Sequence, residues 1–106
     1  MDVQVTIRCN NGGYKFVVLI NEREEMIVFA DDNDHFDYHW KLLAQYQHET
    51  GLRASCIGGG RIRFDGEKKT IEIWDSSGDF GYEPDRNQTV SAIKQNYLDF
   101  EVVRRG

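Results

Sequence analysis

The sequence lacks the features that mark several large classes of protein. Its 106 residues include one proline and two cysteines, and no apolar run is longer than five residues. A membrane-spanning helix needs about 20 apolar residues. The two cysteines are far apart in sequence and no Cys-x-x-Cys pair is present, so a disulfide or a zinc site is the minority interpretation. Cys9 and Cys56 are therefore expected to be reduced thiols of the core. We expect a cytoplasmic protein outside membranes, because the first residues also lack a signal peptide's basic start and apolar core.

The chain also lacks an excess of positive charge. It has 18 acidic and 13 basic residues, which give a net charge of −5 at pH 7. The phosphates of DNA or RNA would repel such a chain, so no nucleic-acid partner is expected. Several catalytic motifs are absent as well: the Gly-x-Ser-x-Gly elbow, the Walker loop and any evident pair of catalytic carboxylates. The length allows one domain, and a hydrophobic content of 40% excludes disorder.

Short apolar runs separated by turn residues predict a sheet. The alternation that begins at Val3 indicates a half-buried strand, and the pair Asp65-Gly66 indicates a hairpin. Strands are predicted at residues 3–9, 14–20, 26–30, 53–57, 61–64, 70–74 and 100–103. Together with two helices, this order predicts an α/β (α+β) single domain with a mixed sheet of about six strands, expected to be a monomer.

The first helix is predicted from about His35 to Thr50, with Gly51 as its C-terminal stop. The acidic run at 31–34 supplies its N-cap candidates. On a helical wheel the apolar stripe is formed by Phe36, Trp40, Leu43 and Tyr46, with His39 inside it and His48 on the polar face.

The second helix is predicted to begin at Thr89, whose hydroxyl can cap it. Its spacing turns Val90, Ile93 and Tyr97 inward.

Three consecutive glycines, Gly58 to Gly60, stand between two short apolar runs and are followed by Arg61. Glycine weakens a strand, so such a run indicates that something approaches the backbone closely. Its N–H groups could form a concave anion-binding nest, and the forked guanidinium of Arg61 suits phosphate. The small-residue loop at 75–81 is a second place where N–H groups could gather around an anion. An ordinary bulge or loop is the more frequent use of such residues, and both interpretations stay open.

His39 and Lys15 are the other candidates for chemistry. A neutral imidazole can take a proton from water or attack phosphorus directly, while a lysine and N–H groups hold phosphoryl oxygens. A neutral imidazole together with these phosphate-binding groups could support phosphoryl transfer. A histidine on a buried helix face is more often a hydrogen-bonded core residue, and a lysine in a strand more often reaches to solvent. The residues alone therefore leave the function open.

The segment Cys56-Ile57-Gly58-Gly59-Gly60-Arg61-Ile62 resembles the Cys-Leu-Gly-Gly-Gly-Arg-Ile signature of the Janus/Ocnus family, which includes the phosphohistidine phosphatases. Residues 14–20 resemble that family's Phe-Lys-Tyr-Val-Leu-Ile strand, and Tyr38-His39 resembles its Tyr-His. Residues 77–81 fall where the family has Ser-x-Ala-x-Gly, and 93–102 are similar to its Ile-Lys and Tyr-Pro-Asp-Tyr-Glu-Val segment. The resemblance covers nearly the whole chain.

The resemblance implies a phosphatase without metal or cofactor that hydrolyses the P–N bond of phosphohistidine on protein substrates. It implies that His39 is the general base or the nucleophile and that Lys15 contacts the substrate phosphate. The other residues to which it gives a role are Gly58, Gly60 and Arg61, which shape the site, and Ser77 and the N–H of Asp79, which bind phosphoryl oxygens.

Three alternatives stay open. The first is a module that binds phosphohistidine or phosphate without hydrolysis, because the acidic run at 31–34 repels anions and Trp40 is bulky beside His39. The second is a divalent-metal hydrolase that uses His35 and His39, four residues apart on one helix face, with an aspartate of the acidic run. The third is a scaffold protein with no small-molecule site.

Overall fold

A computed structural model describes residues 3–33 and 37–105. Eight elements follow one another along the chain: β1 (Val3–Arg8), β2 (Gly12–Asn21), β3 (Met26–Asp31), α1 (His39–Thr50), β4 (Ala54–Asp65), β5 (Thr70–Trp74), α2 (Arg86–Asn96) and β6 (Glu101–Arg104). The strands form one six-stranded sheet in the order β1-β3-β2-β4-β5-β6. The two outer pairs are parallel and the three inner pairs are antiparallel. The predicted α+β domain with a mixed sheet and two helices is confirmed.

The central strands bury apolar side chains on both faces of the sheet. Because side chains alternate along a strand, Phe16 and Val18 pack in the cluster that includes Ile93 of α2, whereas Val17 and Leu19 pack in the cluster under α1. The predicted hairpin at 65–66 is confirmed, since β4 and β5 pair directly across it. The core therefore has two layers, and the sheet divides them.

Helix α1 begins later than predicted. It starts at His39 with Tyr38 as its N-cap residue, and no side chain caps it. Asp31 instead belongs to β3 and pairs with Arg8 at 2.7 Å. The predicted capping role is therefore wrong for Asp31 to Asn33, because these residues are tied to the sheet. Three residues to which the prediction also referred, Asp34, His35 and Phe36, lie outside the described residues.

The buried stripe of α1 differs from the prediction as well. Its buried residues are His39, Leu42 and Tyr46, which follow the three- and four-residue spacing of a helix face. Trp40 is 50% exposed, so its predicted place in the stripe is wrong. The end of the helix was predicted correctly, since Gly51 takes a left-handed conformation (φ 70°) and its N–H donates to the carbonyl of Gln47.

Strand β4 contains all three glycines but has a β-bulge directly before them, because its register with β2 shifts at Ile57, between Cys56 and Gly58. The bulge interpretation of this segment is therefore confirmed. The two strands predicted at 53–57 and 61–64 are one strand, and the glycines are strand positions within it, Gly58 with a positive φ of 154°, so they form no concave nest. A Cβ at Gly58 would clash with the backbone N of Glu83, and one at Gly60 would clash with the carbonyl of Trp74. The predicted close approach is thus confirmed, but the protein's own backbone makes it.

Helix α2 is capped by Asp85, whose carboxylate accepts a hydrogen bond from the N–H of Gln88. The predicted cap, Thr89, is wrong, because this residue lies inside the helix. Its hydroxyl donates to the carboxylate of Glu83 at 2.6 Å.

A buried ion pair joins this helix to the glycine strand. The side chains of Glu83 and Arg86 are 2% and 3% exposed, and two hydrogen bonds of 2.8 and 2.9 Å connect them. Arg86 also donates to the carbonyl of Gly59 at 2.9 Å and lies over the rings of Phe16 and Tyr82. One guanidinium nitrogen, Nη1, is buried without a hydrogen-bond partner among the described residues. Both charges are therefore buried, and removing either side chain would leave the other charge without its partner.

Both cysteines are placed by the structure. Cys9 and Cys56 are free and half-buried. Burial raises the pKa of Cys9 to about 12 and that of Cys56 to about 11, so both are protonated thiols near neutral pH. In the part of the chain that the structure describes, no helix is long and apolar enough to span a membrane.

We expect Arg86→Met to lower the free energy of unfolding by about 3–5 kcal/mol, because it leaves the Glu83 carboxylate buried without its partner. Asp99→Asn is the control, since Asp99 forms an exposed pair with Lys69 at 3.6 Å and should cost less than about 1 kcal/mol. Urea unfolding followed by circular dichroism measures both changes. Equal losses in the two variants would contradict the importance assigned to the buried pair.

Candidate functional site

Helix α1 places His39 against the middle of β4. The residue is 5% exposed, and its Nε2 lies 2.9 Å from the carbonyl oxygen of Gly60. A carbonyl can only accept, so Nε2 carries the proton and the neutral ring keeps its lone pair on Nδ1. Gly59 lies directly beneath the ring, since a Cβ there would stand 3.2 Å from Cδ2 of His39. The missing side chain of Gly59 therefore lets the imidazole reach the strand.

His39 is held in its neutral form. Burial lowers its pKa below the ordinary value of 6.5, and the charges of Lys15 and Arg61 lower it further. The hydrogen bond to Gly60 and the carboxylate of Asp79 act in the opposite direction. The imidazole is therefore uncharged near neutral pH, which is the form that can act as base or nucleophile.

Lys15 and Arg61 form a direct cross-strand pair between β2 and β4. Residues opposite each other in an antiparallel pair project from the same face, so both cations lie on one face of the sheet. Arg61 Nε lies 3.5 Å from Asp75 Oδ2, and both side chains are more than half exposed. Lys15 has no ion pair with any residue in 3–33 or 37–105. It is therefore available to bind an anion.

Both cations line a cavity of about 420 Å³. Its wall on the sheet carries Lys15, Arg61 and Arg63 together with Asp31 of β3, and two further carboxylates, Asp32 and Asp37, also line it. Two of these carboxylates are neutralised by cations: Asp31 by Arg8 and Asp37 by Lys41, each at 2.7 Å. The third, Asp32, accepts hydrogen bonds from the backbone and the side chain of Asn10. The cavity therefore keeps free positive charge on its sheet wall.

The loop between β5 and α2 lies beside this site. Ser77 is 3% exposed, and its hydroxyl accepts hydrogen bonds from the N–H groups of Asp79 and Phe80 at 3.2 and 3.1 Å. The carbonyl of Gly81 accepts from the N–H of Gly59, which fastens the loop to β4. In this arrangement Ser77 and the Asp79 N–H bond each other, and their predicted contacts with phosphoryl oxygens stay predictions.

Two exposed aromatic residues flank His39 on the helix. The rings of Tyr38 and Trp40 are stacked, with centroids 6.4 Å apart and an angle of 16° between their planes. Lys41 lies over both rings. Because Trp40 stacks outward on Tyr38, it leaves the buried face to His39.

The structure brings most of the predicted site residues together. His39 contacts the carbonyl of Gly60, and Lys15, Arg61 and Asp79 all lie close enough to change its pKa. Gly58 does not join them, because its α-carbon packs against the backbone of residues 82 and 83.

The alternative metal site rests on His35, which is outside the described residues. Within the described ranges no three His, Cys, Asp or Glu side chains converge as metal ligands.

Two residues of the site were missed by sequence reasoning. Gly59 faces the ring of His39, and Arg63 lines the cavity beside Arg61. The alternation of side chains along β4 could have identified both, since residues 59, 61 and 63 project from one face. This inference is possible only if residues 54–65 are recognised as a single strand.

The chain is similar to known proteins over almost its whole length. The model of the Janus/Ocnus family (Ocnus) matches residues 3–101. The sex-regulated protein janus-A of Drosophila yakuba is 40% identical over 98 residues, which cover 92% of this chain and 67% of that protein. Janus-A of Drosophila melanogaster is 35% identical over 74 residues, which cover 70% of this chain but only 53% of that protein, about half its length. The chain belongs to the Janus/Ocnus family.

Proposed function

We propose that this chain is a phosphatase that hydrolyses the P–N bond of phosphohistidine on protein substrates, without a metal. The observation that carries the proposal is the state of His39. Its Nε2 proton is held by the Gly60 carbonyl, its pKa is lowered, and its basic nitrogen is Nδ1. Lys15 and Arg61 supply positive charge beside it.

This arrangement supports two routes that use the same lone pair. As a nucleophile, Nδ1 forms a bond to phosphorus while the bond to the substrate imidazole breaks and that imidazole takes up a proton. Water then hydrolyses the phosphorylated His39 to free phosphate. As a base, Nδ1 removes a proton from a water whose oxygen attacks phosphorus, and the same P–N bond breaks while the substrate imidazole takes up a proton from solvent.

The two cations stabilise the charge that gathers on the phosphoryl oxygens. Their cross-strand pairing holds them on a rigid part of the sheet, so little reorganisation is needed during the reaction. The guanidinium of Arg61 can bind two oxygens at once, and the ammonium of Lys15 acts as a point charge. The leaving imidazole departs readily once protonated, so positioning and charge can supply most of the catalysis.

One observation favours binding without hydrolysis. The carboxylate of Asp79 lies close enough to raise the pKa of His39, and a carboxylate next to a phosphoryl group is repelled by it. A module that only binds phosphohistidine is therefore the second candidate.

We expect His39→Ala to reduce phosphate release from a phosphohistidine peptide by at least about 100-fold, because the reacting nitrogen is lost. Lys15→Met should reduce it on the order of 100-fold through lost charge stabilisation. The matched controls are His48→Ala and Lys68→Met, since both side chains are exposed outside the site. A chelator should change none of these rates.

The same assay distinguishes the alternatives. Peptide binding without phosphate release by the wild type would establish the binding module, and activity lost with the chelator would indicate a metal site. Full activity in His39→Ala would contradict the proposed function.

We expect kcat/KM to fall only when the pH drops below the ordinary histidine value of 6.5, because the pKa of His39 is lowered and the neutral ring reacts. Lys15→Met removes a charge that lowers this pKa, so the acid limb should move to higher pH. Asp79→Asn removes a charge that raises it, so the limb should move to lower pH. Rates corrected for spontaneous hydrolysis, together with NMR titration of the His39 ring, measure these shifts. Shifts in the same direction in both variants would overturn the role of His39.

A further inference from the structure

Arg63 extends the cationic face of the sheet beyond the proposed phosphate site. It lies two residues after Arg61 in β4, directly opposite Gly13 in β2 and Glu72 in β5. Glu72 binds Arg105 at 3.0 Å instead. Among the described residues the exposed guanidinium of Arg63 has neither an ion pair nor a side-chain hydrogen bond. Arg63 is therefore an exposed charge with no ionic partner in the part of the chain that the structure describes.

Two cavities meet at this residue. The first, of about 420 Å³, contains Lys15 and Arg61, and the second, of about 540 Å³, extends to Arg105. Arg63 and Trp74 line both. The guanidinium of Arg63 lies over Gly13, since a Cβ there would stand 3.7 Å from its Nη2. The two adjoining cavities, called the groove below, lead from the proposed phosphate site past Arg63.

The charges in this groove favour an acidic occupant. Most of the carboxylates that line it are matched by cations: Asp31, Asp37, Glu72 and Asp75 by Arg8, Lys41, Arg105 and Arg61. Lys15 and Arg63 have no such match within residues 3–33 and 37–105, although the whole chain carries a net charge of −5. A guanidinium binds carboxylates in a forked, two-bond geometry. An acidic side chain is thus the complementary ligand.

We propose that Arg63 is a specificity-determining residue that binds a carboxylate of the substrate close to its phosphohistidine. The inference rests on the proposed function. Residues 61 and 63 are about 6–7 Å apart along the strand, which corresponds to two residues of an extended peptide. Preferred substrates are therefore protein segments with Asp or Glu two positions from the phosphohistidine, and Trp74 contacts the apolar part of that segment.

The test uses peptides that carry a stable phosphonate analogue of phosphohistidine, with Glu, Gln or Lys two positions away from it. Fluorescence anisotropy measures their binding to the wild type, to Arg63→Gln and to Arg23→Gln. Arg23 is a matched control, since it is an exposed arginine in the turn between β2 and β3. We expect the wild type and Arg23→Gln to bind the Glu peptide about three- to fivefold more tightly than the Gln peptide. Arg63→Gln should bind the two peptides equally.

Each other outcome has a definite meaning. Three outcomes would overturn the role of Arg63 and leave the proposed function intact. The wild type could bind all three phosphonate peptides equally, it could prefer the Lys peptide, or Arg63→Gln could keep the preference for Glu. Phosphorylated peptides that bind no better than unphosphorylated ones would overturn the proposed function, and this inference with it. With phosphohistidine itself, Arg63→Gln should raise KM for the Glu peptide and leave kcat unchanged.

Discussion

The site depends on a stretch of strand that has no side chains. His39 reaches the carbonyl of Gly60 beside Gly59, whose missing side chain leaves room for both the carbonyl of Phe16 and the His39 ring. On the other side of β4, the backbone at residues 82 and 83 packs on Gly58, and Arg86 binds the carbonyl of Gly59. The same short segment is therefore approached from two sides at backbone distance. The contact of His39 and the contacts of residues 82, 83 and 86 are made with the same short segment of β4. The position of the imidazole and the packing of the loop before α2 are therefore linked.

The fold could be predicted where the physical cause is local. Alternation and β-branched runs placed the strands, Asp65-Gly66 placed the hairpin, and Gly51 placed the end of α1. The errors arose where tertiary contacts override local preference. Glycines usually interrupt strands, but here close packing on both faces keeps 58–60 extended within β4. Asp31 is a good N-cap residue by type, but its ion pair with Arg8 and its place in β3 hold it in the sheet.

The site was only partly visible for a related reason. His39, Lys15 and Arg61 could be chosen because their chemistry suits phosphate and because the surrounding motifs resemble a known family. The partners of these residues depend on strand register, and register is a property of paired strands rather than of one segment. That Lys15 stands opposite Arg61, and Gly13 opposite Arg63, follows only once β2 and β4 are aligned. The loop at 75–81 illustrates the same limit, since the hydroxyl of Ser77 organises its own turn.

An acidic chain can form an anion-binding site if its nearby carboxylates already have cationic partners within the protein. Around the cavity, Asp31 and Asp37 bind the cations Arg8 and Lys41, which do not line it, so they cancel little of the charge on the sheet wall. Asp79 has a different effect, because it opposes the influence of Lys15 on the pKa of His39. Cations alone would attract phosphate but weaken the base, since a lower pKa means a less basic nitrogen. A nearby carboxylate restores part of that basicity at some cost in anion affinity, so under the proposed function the balance between the two effects would separate binding of phosphate from its transfer.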